Sequence, residues 1–307
     1  MQSNLTYQST EPQGDDIICG KVNLNKGFRV SRYLYCGIYY ANIYYRVYFL
    51  PICILSGIVG NALTIRIFCR RKDWVTTWRV YYLTMALSDL AYIISFGIPE
   101  WTGEGLQILT GSKFDIIPEN LSTFTCRLLR FIWHLSWFIS IWALLCYSLE
   151  KLAVLFYYYT QDSERTVAHS KKICQLIFLS GTLLFSPILL SRIYVLNENL
   201  PVASRYCYLN TESSSIVLLA WFGLITLILT ILVPPILLAI ANGTIFFRLL
   251  HLRTLQNEIL IPKPECIISQ SEIKAAKDLL IVSIVTMVFT FPTSTWAYIY
   301  CEEGIIH

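Results

Sequence analysis

Six apolar stretches, at roughly 44–69, 78–100, 123–157, 172–196, 214–250 and 272–301, decide what this chain can become. Each reaches the roughly 20 residues that an α-helix needs to cross a hydrocarbon core about 30 Å thick. Lipid offers no water to backbone amides, so a segment at that depth must satisfy its hydrogen bonds internally, and a helix does so. Only 14% of the residues are charged and 55% are hydrophobic, against about a quarter charged in soluble domains. The alternating ten-residue segments of a membrane β-barrel do not occur. The expected fold is an all-α integral membrane bundle of six transmembrane helices over 44–301, with a segment 1–43 before it and a short tail 302–307 after it.

Charge sets the orientation. Arg70, Arg71, Lys72 and Arg79 flank the first connection, Lys151, Arg165, Lys171 and Lys172 follow the third span, and Arg248, Arg253, Lys263, Lys274 and Lys277 separate the fifth from the sixth. Loops rich in Lys and Arg stay in the cytoplasm. The N-terminal segment is therefore extracellular, as is the tail after an even number of crossings. Asn4-Leu5-Thr6 and Asn120-Leu121-Ser122 are glycosylation acceptors on the outside, which agrees with the charge rule. Asn242-Gly243-Thr244 falls at a cytoplasmic helix end and reads as chance. The first residues, Met1 to Asp16, lack an apolar signal core, so the first span is expected to direct insertion. A net charge of +4 spread between the spans gives no basic patch for nucleic acid. Membrane lipids are the first expected partner.

Polar residues inside membrane helices are costly and ask for a reason. Asp89 sits in the apolar run Leu83-Thr84-Met85-Ala86-Leu87-Ser88-Asp89-Leu90-Ala91. Its carboxylate must be protonated, paired or bound to a cation. Gly60-Asn61 in the first span and Ser136 and Ser140 in the third bring further polar groups to similar depth.

Gly-Asn in the first span, Leu-x-x-x-Asp in the second and Cys126 opening the third, taken in order, resemble rhodopsin-like G-protein-coupled receptors. The resemblance implies a seven-helix receptor architecture at the plasma membrane, an extracellular ligand and a heterotrimeric G protein as partner. It implies a sodium pocket formed by Asp89, Asn61 and Ser140; the alternative is a protonated Asp89 bonded to Asn61. Cys126 and Cys207 both face the oxidising compartment, and the resemblance implies a disulfide between them. Cys53, Cys69, Cys146 and Cys174 lie in or beside spans and read as small apolar residues, and Cys266 as a reduced cytoplasmic thiol. Cys19, Cys36 and Cys301 leave an odd outside number; Cys19 with Cys36 is the favoured pair.

The family's Asp/Glu-Arg-Tyr signature aligns with Glu150-Lys151-Leu152. Glu150 and Lys151 are thus the G-protein-coupling candidates, although Lys lacks the planar fork of Arg. The bland alternative is an interfacial acid-base pair with Lys151 snorkelling to the headgroups. Pro234-Pro235 in the fifth span and Pro292 in Phe289-Thr290-Phe291-Pro292 match the family's helix kinks; Thr290 replaces the usual Trp. The fourth span lacks the family's Trp, and the expected count of spans stops short of a seventh.

Arg130, Trp133, His134 and Trp137 fall on the outer half of the third span, with Tyr92 and Trp101 on the second and Tyr298 on the sixth. They form a candidate ligand pocket, aromatic and sparsely charged, for peptides or lipids. The third span offers no carboxylate for an amine ligand. Glu100, Glu104, Asp115, Glu119, Glu198, Glu302 and Glu303 ring the outside and favour a basic ligand, which makes a neuropeptide with a basic residue the expected agonist. Three other classes compete with this reading. A transporter or channel calls for inverted repeats or a filter loop, and an enzyme for clustered acid, base or metal ligands. His134, His169, His251 and His307 are scattered, so no enzyme and no metal site are expected. The remaining rival is a receptor-like chain that does not signal by itself, as a shortened form or a dimerisation partner.

Overall fold

The computed structural model describes residues 40–70, 77–111, 121–157, 163–190, 193–196, 206–209, 223–258 and 277–281, with positions 37 and 274. Five helices among them are long and apolar enough to cross a membrane: α1 (Tyr40–Arg70), α2 (Thr77–Thr110), α3 (Thr123–Val154, continuing to Tyr157), α4 (Val167–Leu189) and α5 (Gly223–Leu250, continuing to Glu258). The third span coincides with 123–157 as read from the sequence. Of the sixth, only positions 274 and 277–281 are described, and these are helical.

Several boundaries depart from the expectation: the first helix begins at Tyr40, the helix of the fourth span at Ser163, and that of the fifth runs to Glu258. The second span runs ten residues beyond residue 100, to Thr110, where Gly111 adopts a left-handed φ of 68° and ends it. The fourth ends by Leu190, and Ile193–Leu196, expected to be helical, forms strand β1. It pairs antiparallel with β2 (Tyr206–Leu209), Val195 opposite Cys207. The run Ile-Tyr-Val-Leu is apolar enough to pass for a helix end, but its β-branched and aromatic residues suit a pleated ribbon equally well.

α3 is the central strut. Of its most apolar window 44% is buried, against 6% for α1 at the periphery. Its inner half contributes Ile141, Leu144, Leu145 and Tyr147 to a core shared with Tyr81 and Met85 of α2, Cys174 of α4, and Leu238 and Ile245 of α5. Leu279, fully buried, joins this core, so the described start of the sixth span packs against the bundle. The outer half packs Leu135, Phe138 and Ile139 against Ile177, Phe185 and Ile188 of α4. Gly181 permits this approach, since a Cβ there would lie 2.8 Å from a ring atom of Phe138.

Hydroxyls are absorbed by the helices that carry them. Ser88, Ser95 and Thr102 of α2, Ser56 and Thr64 of α1, and Thr230 and Thr244 of α5 each donate to a carbonyl one turn back, which lets them sit in lipid at little cost.

Three widened π turns, Tyr45–Phe49, Ile93–Gly97 and Leu227–Leu232, each end two residues before a proline: Pro51, Pro99 and Pro234. Proline has no N–H and its ring clashes with the carbonyl four residues back. The widened turn relieves that clash: the N–H of the residue preceding each proline donates five residues back, Leu50 to Tyr45, Ile98 to Ile93 and Val233 to Ile228. In α5 this leaves the Leu229 carbonyl without a backbone donor, because Val233 is committed and Pro234 has nothing to give. The Trp142 indole N–H of α3 donates to that carbonyl at 3.0 Å. A proline-made defect thus becomes a cross-link between α3 and α5. Trp142→Phe keeps the ring and deletes the donor, and is expected to destabilise the bundle by about 1–3 kcal/mol, the range for leaving a buried acceptor unmade. Thermal unfolding of the purified protein in detergent checks this.

Candidate functional site

Four polar stations lie along α3 and its neighbours, from the outer mouth to the inner end. At the mouth, Ser122 caps the helix reciprocally with Thr125: Thr125 N–H donates to the Ser122 hydroxyl at 3.2 Å and Ser122 N–H to the Thr125 hydroxyl at 3.0 Å. Such a box fixes where the first turn begins. One turn on, Cys126, fully buried, is joined by a disulfide to Cys207 of β2, with 5.8 Å between the Cα atoms. The hairpin β1–β2 is therefore tethered across the outer end of α3.

Below the mouth, Arg130, Trp133, His134 and Trp137 recur at i, i+3, i+4 and i+7, which aligns them on one helical face. Phe96 of α2 stacks on Trp133 with ring centroids 4.4 Å apart, Trp133 neighbours His134 at 4.6 Å, and His134 lies 5.6 Å from Phe185 of α4. Tyr92 extends the ladder through Phe96 at 5.4 Å. The structure thus brings together Tyr92, Trp133 and His134 as read from the sequence and adds Phe96 and Phe185. Those two are ordinary apolar residues in sequence, and only their contacts with Trp133 and His134 of α3 reveal them. Trp101 stands in a further π turn of α2, Trp101–Gly105. Tyr298 and Pro292 lie outside the described residues, as do Asn4 and Asn120.

The acidic rim is altered. Arg46 of α1 forms ion pairs with Glu100, at 3.2 Å, and with Glu104. Its backbone carbonyl also faces Gly105 so closely that a Cβ there would approach to 2.6 Å. Two of the acids expected to attract a basic ligand are therefore already engaged by a cation of the protein itself. The other rim acids lie outside the described residues.

At mid-depth, Ser140 Oγ donates to Asp89 Oδ1 at 2.6 Å. The distance lies within the range for a hydroxyl donating to a carboxyl oxygen. Asn61 forms no side-chain hydrogen bond with either residue, and Ser136 is buried nearby on α3 without reaching Asp89. The oxygen set of Asp89 and Ser140 suits a small hard cation in kind; among the described residues no group of three or more His, Cys, Asp or Glu gathers for a transition metal.

At the inner end, Glu150 Oε2 accepts from Ser170 Oγ of α4 at 3.2 Å. Lys151 does not snorkel: it is only 4% exposed, with its ammonium 5.7 Å from the Tyr147 ring centroid. Tyr147 in turn packs on Tyr81 at 5.5 Å. Ser170 was not legible as a partner, because nothing in Ala168-His169-Ser170-Lys171 distinguishes one serine on a helix face from another. Pro235 sits in the first turn of the α-helical part of α5, directly after the π turn. Asn242, the formal acceptor read as chance, is buried within α5.

Comparison with known proteins gives a consistent picture. The profile of the 7 transmembrane receptor (rhodopsin family) matches residues 60–302. G-protein coupled receptor 182 of Mus musculus is 27% identical over 203 residues, 64% of this chain and 46% of that receptor. The B1 bradykinin receptor of Mus musculus is 26% identical over 44% of the chain and 40% of its own length. The 2-oxoglutarate receptor 1 of Rattus norvegicus is 22% identical over 68% of the chain and 59% of its own length. The chain spans about half the length of the curated relatives it matches.

The disulfide gives a sharp test. Cys126→Ser, Cys207→Ser and the double variant are expected to lose thermal stability by the same amount, since either thiol alone is useless. Unequal losses, with the double variant worse than both, would mean that the thiols act separately.

Proposed function

The chain belongs to the rhodopsin family of seven-transmembrane receptors, and we propose on that premise that it senses an extracellular ligand and signals through a heterotrimeric G protein at the plasma membrane, its N-terminus outside. The observation that carries this reading is the Ser140–Asp89 bond, which ties α3 to α2 at the depth where a carboxylate is most expensive. Such a bond has alternatives of similar energy: a proton, a cation or a moved hydroxyl. A group with such alternatives can bias a two-state helix rearrangement. In this reading Asp89, Ser140 and a repositioned Asn61 supply oxygen ligands to a sodium ion that favours the resting state. Glu150, held by Ser170, and Lys151 form the inner contact that a G protein meets.

The ligand class we favour is a peptide. Relatives are named for bradykinin, for angiotensin II and for 2-oxoglutarate, and the aromatic ladder between α2, α3 and α4 offers a wall with many apolar contacts and few charges. A basic residue on that peptide would have to compete with Arg46 for Glu100 and Glu104.

A second reading has its own support. Lys151 stands where the family resemblance places Arg, and it is buried against Tyr147. A compact ammonium cannot make the bidentate contacts of a guanidinium. A receptor-like chain that binds ligand but drives little nucleotide exchange, acting beside another receptor, would look this way.

Two experiments separate these readings. Replacing choline by sodium at constant ionic strength is expected to raise the melting temperature of the wild type and to leave Asp89→Asn unmoved; an equal sodium response in both removes Asp89 from the cation site. Nucleotide exchange on purified G protein is expected to be measurable for the wild type and to fall at least tenfold for Lys151→Ala. No exchange in the wild type together with strong exchange in Lys151→Arg would establish the second reading.

A further inference from the structure

The outer half of α3 has an excess of donors. Arg carries five N–H groups and no acceptor, and the indole of Trp carries one N–H and no acceptor. Among the described residues, Arg130 Nε and Trp137 Nε1 are buried and meet no hydrogen-bond partner. The Trp133 Nε1, between them on the same face, is likewise buried without a partner. Leaving a buried donor unmade is costly, and more so when it belongs to a charged group.

Neighbouring acids do not relieve the deficit. Glu100 and Glu104 are both bound to Arg46, and Asp89 is engaged by Ser140. Among the described residues, Arg46 therefore holds two carboxylates while Arg130 holds none. His134 adjoins Arg130 on the same face and is stacked between Trp133 and Phe185, so it closes the aromatic side of the space.

We propose that Arg130 and Trp137 form an acceptor-reading subsite: Arg130 receives a carboxylate of the ligand, and the Trp137 indole N–H receives a second oxygen deeper in the bundle. This deepens the receptor reading and rests on it. By helical rise Arg130 lies about 6 Å below Cys126, beneath the tethered hairpin, and Trp137 about 10 Å further in. Two acceptors on one slender molecule, reached by two side chains that extend from the same helical face, match either the free C-terminus of a peptide with its preceding carbonyls or a small dicarboxylate. Both present the same chemistry to Arg130: two coplanar oxygens for a planar fork.

The test uses the purified full-length chain in lipid nanodiscs, with thermal shift as readout and three probes: glutarate, a pool of tetrapeptides with free C-termini, and the same pool amidated. Either glutarate or the free-acid pool is expected to stabilise the wild type, and which one does so identifies the source of the carboxylate. Arg130→Gln is expected to shift the half-maximal concentration at least tenfold, Arg130→Lys less, and Trp137→Phe about threefold. Amidated peptides acting as well as free acids would overturn the proposal, as would an unchanged response in Arg130→Gln. Nucleotide exchange on the same preparation reports the receptor reading separately. Exchange without any response to carboxylates overturns the subsite alone, whereas a carboxylate response without exchange overturns the signalling reading and upholds the subsite.

Discussion

Hydrogen-bond satisfaction of the backbone without water governs this structure. A helix in lipid can lose an N–H to proline only if something else takes over the stranded carbonyl. Pro51, Pro99 and Pro234 are each preceded by a π turn that shifts the register by one residue. In α5 the carbonyl that remains, Leu229, is served by Trp142 from α3. The tertiary contact and the local defect are one event, and the hydrogen bond from Trp142 of α3 to Leu229 of α5 exists because a proline created the need for it.

The same accounting runs through the side chains. Asp89 is met by Ser140, Glu150 by Ser170, and Glu100 and Glu104 by Arg46. Each of these contacts joins two different helices, so the polar groups that lipid penalises most are also those that fix helix positions. α1 depends on this most. Little of its surface is buried, and it is fastened outside by the Arg46 ion pairs, midway by Gly57 lying against Ile93, and inside by Phe68 packing on Trp78 and Tyr82.

Helices and their depth were legible because length and hydropathy are local properties. The third span was read to the residue, and Asp89 stood out because one carboxylate in an apolar run is conspicuous by itself. The pairing of Asp89 with Ser140 was readable as a neighbourhood, although Asn61, expected in the same set, makes no bond there. What stayed hidden was relational. Ile193–Leu196 looks like a helix end until Tyr206–Leu209 is available to pair with it. Glu100 and Glu104 look like free rim charges until Arg46 is placed against them across two helices. Lys151 looks like a snorkelling lysine until Tyr147 lies against it and its burial is known. In each case the deciding partner is distant in sequence or carries no signal of its own.

Along α3 the polar chemistry is sorted by depth, and the sorting constrains how the helix can work. Among the described residues, donors without acceptors lie toward the Cys126 end, at Arg130, Trp133 and Trp137; an acceptor shared with α2 lies midway, at Asp89; an acid and a cation lie toward the far end, at Glu150 and Lys151. A rigid helix transmits a shift at one end to the other almost undiminished, while the contacts it breaks and makes on the way have discrete alternatives. An acceptor arriving at the outer donors would pull on a strut whose middle is held by one short hydrogen bond and whose side is held by Trp142 on Leu229. These two bonds act at different depths and on different neighbours, α2 and α5. Their relative strength decides whether α3 turns toward one helix or tilts toward the other, and therefore how the end that carries Glu150 and Lys151 is presented.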